Sequence, residues 1–270
     1  MAFGPSSPKP KMVNQGTLDM TDHLLILGGT TEATGLALVL HDAGMNATFS
    51  YAGRVARPKR QPLPTRIGGF GGVEGLAKYI VENAITHVVD ATHPFAAQMS
   101  MNAVAACAQT NAQLLALTRP KWVAQTGDQW RHVADINSAV AVLSGTVQNV
   151  MLAIGRMHLD AFAPCPQHQY LLRVVDAPSG EVPLPNRSII VDQGPFSVEN
   201  DIALMRDHKI ELVVAKNAGG SGARAKIDAA RALNIPIIMI DRPYIPARPE
   251  VGTAQEVLDW LAHLASDLGV

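Results

Sequence analysis

The sequence predicts an α/β protein of two domains, each a parallel sheet covered by helices, with a functional cleft between the two. Three observations carry this. Short apolar runs alternate with helical stretches of about 10 to 15 residues, the pattern of parallel βαβ units with right-handed crossovers. A glycine pair, Gly28-Gly29, stands directly after the first run. At Thr118-Arg119-Pro120 a proline ends the fifth strand, and a second alternating series begins further on. The chain therefore divides into a flexible tail over residues 1–22, a first Rossmann-like domain over 23–118 and a second α/β domain over 119–270.

Element by element, His23 to Leu27 predicts a strand. The following helix carries Ala33, Leu36, Ala37 and Leu40 on one face, and Gly44 stands where a glycine closes a helix. Ala47 to Tyr51 predicts the second strand and Thr65 to Ile67 a short third. The loop Gly68-Gly69-Phe70-Gly71-Gly72 leads into a helix over Val73 to Asn83 and a strand over Thr86 to Ala91. A helix over Phe95 to Gln109 and a strand over Gln113 to Leu117 complete the first series. The second series has strands at Trp130 to Val133, Val150 to Ile154, Gln169 to Val174, Ser188 to Val191, Glu211 to Ala215 and Pro236 to Ile240. Its helices fall at Ile136 to Leu143, Met157 to Phe162, Val198 to His208 and Ala223 to Leu233. A last helix, Ala254 to Ala265, has Val257, Leu258, Leu261 and Leu264 in a stripe.

Composition narrows the function. The 270 residues hold 22 Lys+Arg against 23 Asp+Glu, a formal charge of −1, so no general basic field exists for nucleic acid or an anionic membrane. Charged ligands must be met locally. Two cysteines, Cys107 and Cys165, exclude a disulfide framework and suit a reducing cytoplasm. No apolar run approaches the roughly 18 residues that span a bilayer. The first 22 residues are rich in Pro, Gly, Ser and Lys without the apolar core of a secretory signal, and Met20 is a candidate native start.

The turn Gly28-Gly29-Thr30-Thr31-Glu32-Ala33 opens a helix, where backbone N–H groups and the helix dipole favour a phosphate. Glycines 28 and 29 admit a diphosphate, and the hydroxyls of Thr30 and Thr31 are candidate donors to it. The alternative is a tight turn capped by threonine with no ligand. At the end of the second strand, Ser50-Tyr51-Ala52-Gly53-Arg54, an NAD-binding domain would carry an acid about 20 residues beyond the glycine turn. None stands there. Ser50 and Arg54 are instead suited to a 2′-phosphate, which favours NADPH over NADH; a solvated loop arginine is the plainer alternative.

Asp90-Ala91-Thr92-His93-Pro94-Phe95 stands at a strand end, with Pro94 turning Thr92 and His93 into the cleft. His93 is a candidate proton donor near neutral pH, or else a brace of the loop with Asp90. It has no His or Cys partner at ligand spacing, and Cys165-x-x-His168 sits between prolines as a loop, so no metal site is predicted. In the second half, Lys216-Asn217-Ala218-Gly219-Gly220-Ser221-Gly222 leads to a helix carrying Arg224, Lys226 and Asp228, a second anion site by the same physics or a flexible lid. Arg119, Arg156, Arg173, Lys216 and Arg242 all fall at strand or loop ends, a ring suited to a ligand with many carboxylates.

These motifs, with A-G-R at 52–54, R-P-x-W at 119–122 and G-P-F at 194–196, resemble in order and spacing the precorrin-6A reductase (precorrin-6X reductase) family of cobalamin biosynthesis, over Leu24 to Pro243. The resemblance implies NADPH-dependent reduction of one carbon–carbon double bond of the precorrin-6A macrocycle, giving precorrin-6B. It implies a cytoplasmic enzyme, monomeric or weakly homo-oligomeric, with a tetrapyrrole substrate and neither nucleic acid nor membrane as partner. Candidate catalytic residues are His93 and Lys216. Candidate cofactor contacts are Gly28, Gly29, Thr30, Thr31, Glu32, Ser50, Arg54 and Thr92. Candidate substrate contacts are Arg119, Gly155, Lys216, Asn217, Gly219, Gly220 and Arg242. The chain departs from the family pattern at Ala153-Ile154, where the family has two threonines, and at Ala218, where it has serine. Two other readings compete. A short-chain alcohol dehydrogenase needs Tyr-x-x-x-Lys, yet Val55, Asn83, Val174 and Arg248 stand four residues after the tyrosines. A non-catalytic NADP-binding sensor explains neither the second glycine loop nor the arginine ring.

Overall fold

A computed structural model of the chain describes residues 22–53, 58–174, 180–192, 194 and 196–267. The first series forms β1 (Leu24–Leu27), α1 (Thr31–Asp42), β2 (Ala47–Tyr51), β3 (Thr65–Ile67), α2 (Gly72–Glu82), β4 (His87–Asp90), α3 (Ala97–Thr110) and β5 (Gln113–Leu117). The second forms β6 (Trp130–Val133), α4 (Ile136–Val142), β7 (Asn149–Ala153), β8 (Gln169–Val174), β9 (Arg187–Val191), α5 (Val198–Asp207), β10 (Leu212–Lys216), α6 (Ala225–Ala232) and β11 (Ile237–Ile240), followed by β12 (Glu250–Val251) and α7 (Ala254–Asp267). They build two parallel six-stranded sheets, ordered β3-β2-β1-β4-β5-β12 and β9-β8-β7-β10-β11-β6. This is the predicted pair of Rossmann-like units, and both sheets share one strand order.

Parallel sheets are covered on both faces, so their central strands read as continuous apolar runs. All four residues of β1 are buried. Alternate side chains part to opposite faces: Leu24 and Ile26 meet Leu36 and Leu40 of α1, while Leu25 and Leu27 meet Leu76 and Ile80 of α2. In the second sheet Val150 and Leu152 pack towards Phe162, and Met151 with Val213 towards Ile227 of α6.

Two expectations change. The boundary that gave all of 119–270 to the second domain is corrected at its end, because Glu250 and Val251 pair with Ala116 and Leu117, and Val257 and Leu261 of α7 join the core around α1. The sixth strand after each fifth strand thus crosses to the other sheet. The predicted helix at Met157 to Phe162 is instead two 3-10 turns, Arg156–His158 and Asp160–Phe162. Buried Leu159 and Phe162, three residues apart, suit the three-residue repeat of that helix.

Candidate active site

In an open parallel sheet, ligands gather outside the carboxyl ends of the strands where the order reverses. In the first sheet that point lies between β1 and β4, which deliver Gly28-Gly29 and Thr92-His93. A cavity of ≈ 370 Å³ opens there, walled by both pairs, by Tyr51 and by the 69–72 glycine loop. In the second sheet the point lies between β7 and β10, which deliver Gly155 and Lys216. A cavity of ≈ 410 Å³ opens there, lined also by Arg156, Arg173, Lys226, Phe95 and His93. His93 and Ala96 line both cavities, so the two share a wall.

Around the first cavity the structure redistributes several roles. Gly28 is a packing glycine: a Cβ there would come 2.1 Å from Phe49 Cζ. Gly29, at φ +121, faces open space and leaves its backbone accessible. Thr30 is the N-cap of α1; its hydroxyl accepts from Ala33 N–H at 3.1 Å and donates to Ala91 O at 2.7 Å, so it is not the spare donor that the sequence proposed. Thr31 donates to Glu32 Oε2 at 3.1 Å, and Glu32 takes Arg119 at 2.9 Å, which turns that carboxylate to joining the two units rather than to a cofactor. Burial opposes the charge on Glu32, but its backbone hydrogen bond, Arg119 and Thr31 outweigh this and hold its pKa below the usual value.

Thr92 lines the cavity and donates both its N–H and its hydroxyl to Asp90 Oδ1, at 3.1 and 2.7 Å. Asp90 also accepts from Ser100 Oγ at 2.6 Å and from Arg248. Arg54 lies outside the described residues. Ser50, buried at the end of β2, accepts from Arg66 Nη1 at 2.9 Å. Arg66 is the cation that sequence reasoning missed. Its guanidinium lies 3.8 Å from the Phe70 ring centroid and donates to the Gly68 and Gly69 carbonyls. The available signal was a lone arginine within a three-residue strand beside the glycine loop.

Around the second cavity, Gly155 adopts φ +79 with open space where a Cβ would project. Lys216 Nζ lies 5.3 Å from the Phe95 ring centroid, and burial pushes its pKa down to about 8. His93 is held lower still, at about 4, by burial and then by the cations of Arg119, Lys216 and Arg242. Phe95 N–H donates to His93 Nδ1 at 3.2 Å, so the neutral ring carries its proton on Nε2. This tells against His93 as a proton donor near neutral pH: burial first, and then the surrounding cations, disfavour the charged ring.

The remaining predicted substrate contacts form a strut behind the cavity. Asn217 spends both ends of its amide on Trp122, accepting from its N–H at 2.8 Å and donating to its carbonyl at 3.0 Å. Gly219 and Gly220 have φ +71 and +72, and a Cβ on them would strike Pro120 O at 2.1 Å and Arg119 Cδ at 2.5 Å. Arg119 Nε donates to Ala218 O at 2.8 Å. Arg242 donates to the carbonyls of Arg119, Asn217 and Ala218. Buried carbonyls in a glycine turn need donors, and these two arginines supply them. Only Gly155 and Lys216 of the predicted set line the cavity itself.

The model of the family described as Precorrin-6x reductase CbiJ/CobK matches residues 23–262. The chain belongs to the precorrin-6x reductase family. The precorrin-6A reductase of Rhodobacter capsulatus is 56% identical over 248 residues, covering 92% of this chain and 99% of the relative. That of a Sinorhizobium species is 45% identical over 241 residues, covering 89% of this chain and 92% of its own. The cobalt-precorrin-6A reductase of Priestia megaterium is 29% identical over 252 residues, covering 89% and 96%. A solved structure described as CobK precorrin-6A reductase superposes with a TM-score of 0.86 at 56% identity, covering 90% of this chain and 96% of that one. A precorrin-6x reductase requires a source of electrons, so a redox cofactor belongs to this architecture.

Proposed function

We propose that this precorrin-6x reductase reduces one carbon–carbon double bond of precorrin-6A, giving precorrin-6B, with NADPH in the first cavity and the macrocycle in the second. The observation that carries this is the shared wall at His93 and Ala96, which divides two cavities of opposite character. The first is glycine-rich, and among its described lining residues no lysine or arginine appears. Such a wall suits a diphosphate held by backbone N–H groups. Behind it, Arg66 of β3 donates to Ser50 near the end of β2, and a cation beside that strand end suits a 2′-phosphate. The second presents Arg156, Arg173, Lys216 and Lys226, which suits a macrocycle bearing several carboxylates.

NADPH, when bound, supplies a hydride for a ring carbon. The protein's part is alignment across the His93 wall and delivery of a proton to the neighbouring carbon. With a pKa of about 8, Lys216 is an ammonium at neutral pH and a competent acid. Neutral His93 offers only its Nε2–H as a hydrogen-bond donor. The metal-free macrocycle is the proposed substrate, because the relatives named precorrin-6A reductase are 41–56% identical and those named for the cobalt form are 26–29% identical. The test is anaerobic NADPH oxidation with each macrocycle in turn: turnover of the metal-free form is expected, and no turnover of either overturns the reading.

A further inference from the structure

The second cavity ends on a buried charge cluster that the mechanism above leaves unused. Lys226 of α6, Arg173 of β8 and Asp201 of α5 are 5%, 9% and 2% exposed. Arg173 and Lys226 line the cavity. Arg173 donates to Asp201 Oδ1, while Asp201 Oδ2 is buried without a partner among the described residues. The Arg173 guanidinium also lies 4.0 Å from the Phe196 ring centroid, which fixes its plane against the cavity wall. Lys226 Nζ donates to Ala223 O at 2.6 Å and stands 5.0 Å from the Trp122 ring centroid. Among the described residues it forms no ion pair.

Two cations thus share one carboxylate in a buried place. An uncompensated buried charge is costly, and methionine would fill the same volume without that cost. A lysine serving packing alone is therefore a poor solution. The groups facing Lys226 are Arg173, Asp201 and, across the strut, Arg119; burial and the two arginines push its pKa down to about 7, against the pull of Asp201.

We infer that Lys226, with Arg173 beside it, anchors one peripheral carboxylate of the ligand in the second cavity, and that Asp201 positions Arg173 for that contact. This rests on the macrocycle occupying that cavity, as proposed above. An arriving carboxylate balances the cluster at two cations and two anions, and the lysine takes up a proton as it binds. The subsite favours a free carboxylate over its ester or amide, which brings no charge to hold the lysine's proton.

The experiment compares wild type with Lys226→Met and Lys226→Arg. NADPH affinity is read by fluorescence, and kcat and KM with precorrin-6A at saturating NADPH. Proton uptake is read calorimetrically at pH 8, on binding precorrin-6A without NADPH, in two buffers of different ionisation heat. Lys226→Met is expected to raise KM at least tenfold, keep NADPH affinity within twofold and lose most of one proton of uptake, while melting no lower than wild type. Lys226→Arg is expected to keep most of the affinity and to lose the same share of the proton uptake, leaving only what Lys216 in the same cavity takes up. Should the methionine variant not fold, Lys226→Gln carries the same expectations. A variant lacking the ammonium but retaining wild-type KM and proton uptake overturns the assignment. Failure of the wild type itself to bind or reduce precorrin-6A overturns the functional reading, and the anchor with it.

Discussion

Gly28 and Gly29 are neighbours of one residue type with different duties. Gly28 is excluded from substitution by the Phe49 ring, so Gly28→Ala overpacks the core and is expected to cost roughly 1 to 3 kcal/mol, read as a fall in Tm. Gly29 meets no neighbour, but its φ of +121 strains any side chain, so a substitution there tests backbone and cofactor together. Arg66→Ala is expected to weaken NADPH binding by about 1.5 to 3 kcal/mol, the worth of a charge-assisted contact, and to spare NADH; equal losses would place the 2′-phosphate elsewhere. For Lys216 the acid must be protonated, so kcat falls as pH rises through its pKa, about 8 in the free protein. Lys216→Ala lowers kcat and leaves NADPH affinity intact, whereas a selective loss of NADPH binding would exchange the two ligands between the cavities.

Among elements, those with a strong period were legible. The stripe Ala33, Leu36, Ala37 and Leu40 marked α1, and four consecutive apolar residues marked β1. β12 carried no such signal, because Glu250 and Val251 owe their place to pairing with β5 rather than to any pattern of their own. The site was legible where a glycine or a strand end marks it, as at Gly29, Gly155 and Lys216. It was not legible where long-range hydrogen bonds decide: nothing near Asn217 announces Trp122, 95 residues away. The segment leading into β12 also brings Arg248 to Asp90, both nearly inaccessible. Arg248→Met leaves that carboxylate buried without its cation, and a loss of roughly 3 kcal/mol is expected from denaturant titration.

At the scale of the whole molecule, one architecture is used twice with its last strand exchanged. All the strands of the second sheet, β6 to β11, lie within residues 119–249, while the first sheet needs β12 from beyond them. The piece 119–249 is therefore expected to fold alone with native-like circular dichroism. The piece 22–118 is expected to remain unfolded or to aggregate, since Leu115 and Leu117 share a core with Val257 and Leu261. Between the units, Arg119 pairs with Glu32 of α1 and also donates to Ala218 O of the 216–220 loop, while Arg242 donates to Arg119 O, so these contacts tie the two together. Glu32→Gln is expected to change KM for both ligands together and to lower stability by about 1 to 3 kcal/mol, as befits a partly buried ion pair that loses one partner.

The strand exchange also determines how the chain can be divided and made whole again. Residues 123–127, on the first crossing, are exposed. A break there separates an amino-terminal fragment with an open sheet edge from a carboxyl-terminal fragment that holds β12 and α7, the parts that close that edge. Each fragment thus carries what the other lacks. Two separately produced polypeptides, 22–124 and 125–270, are accordingly expected to find each other in solution and restore reductase activity that neither has by itself.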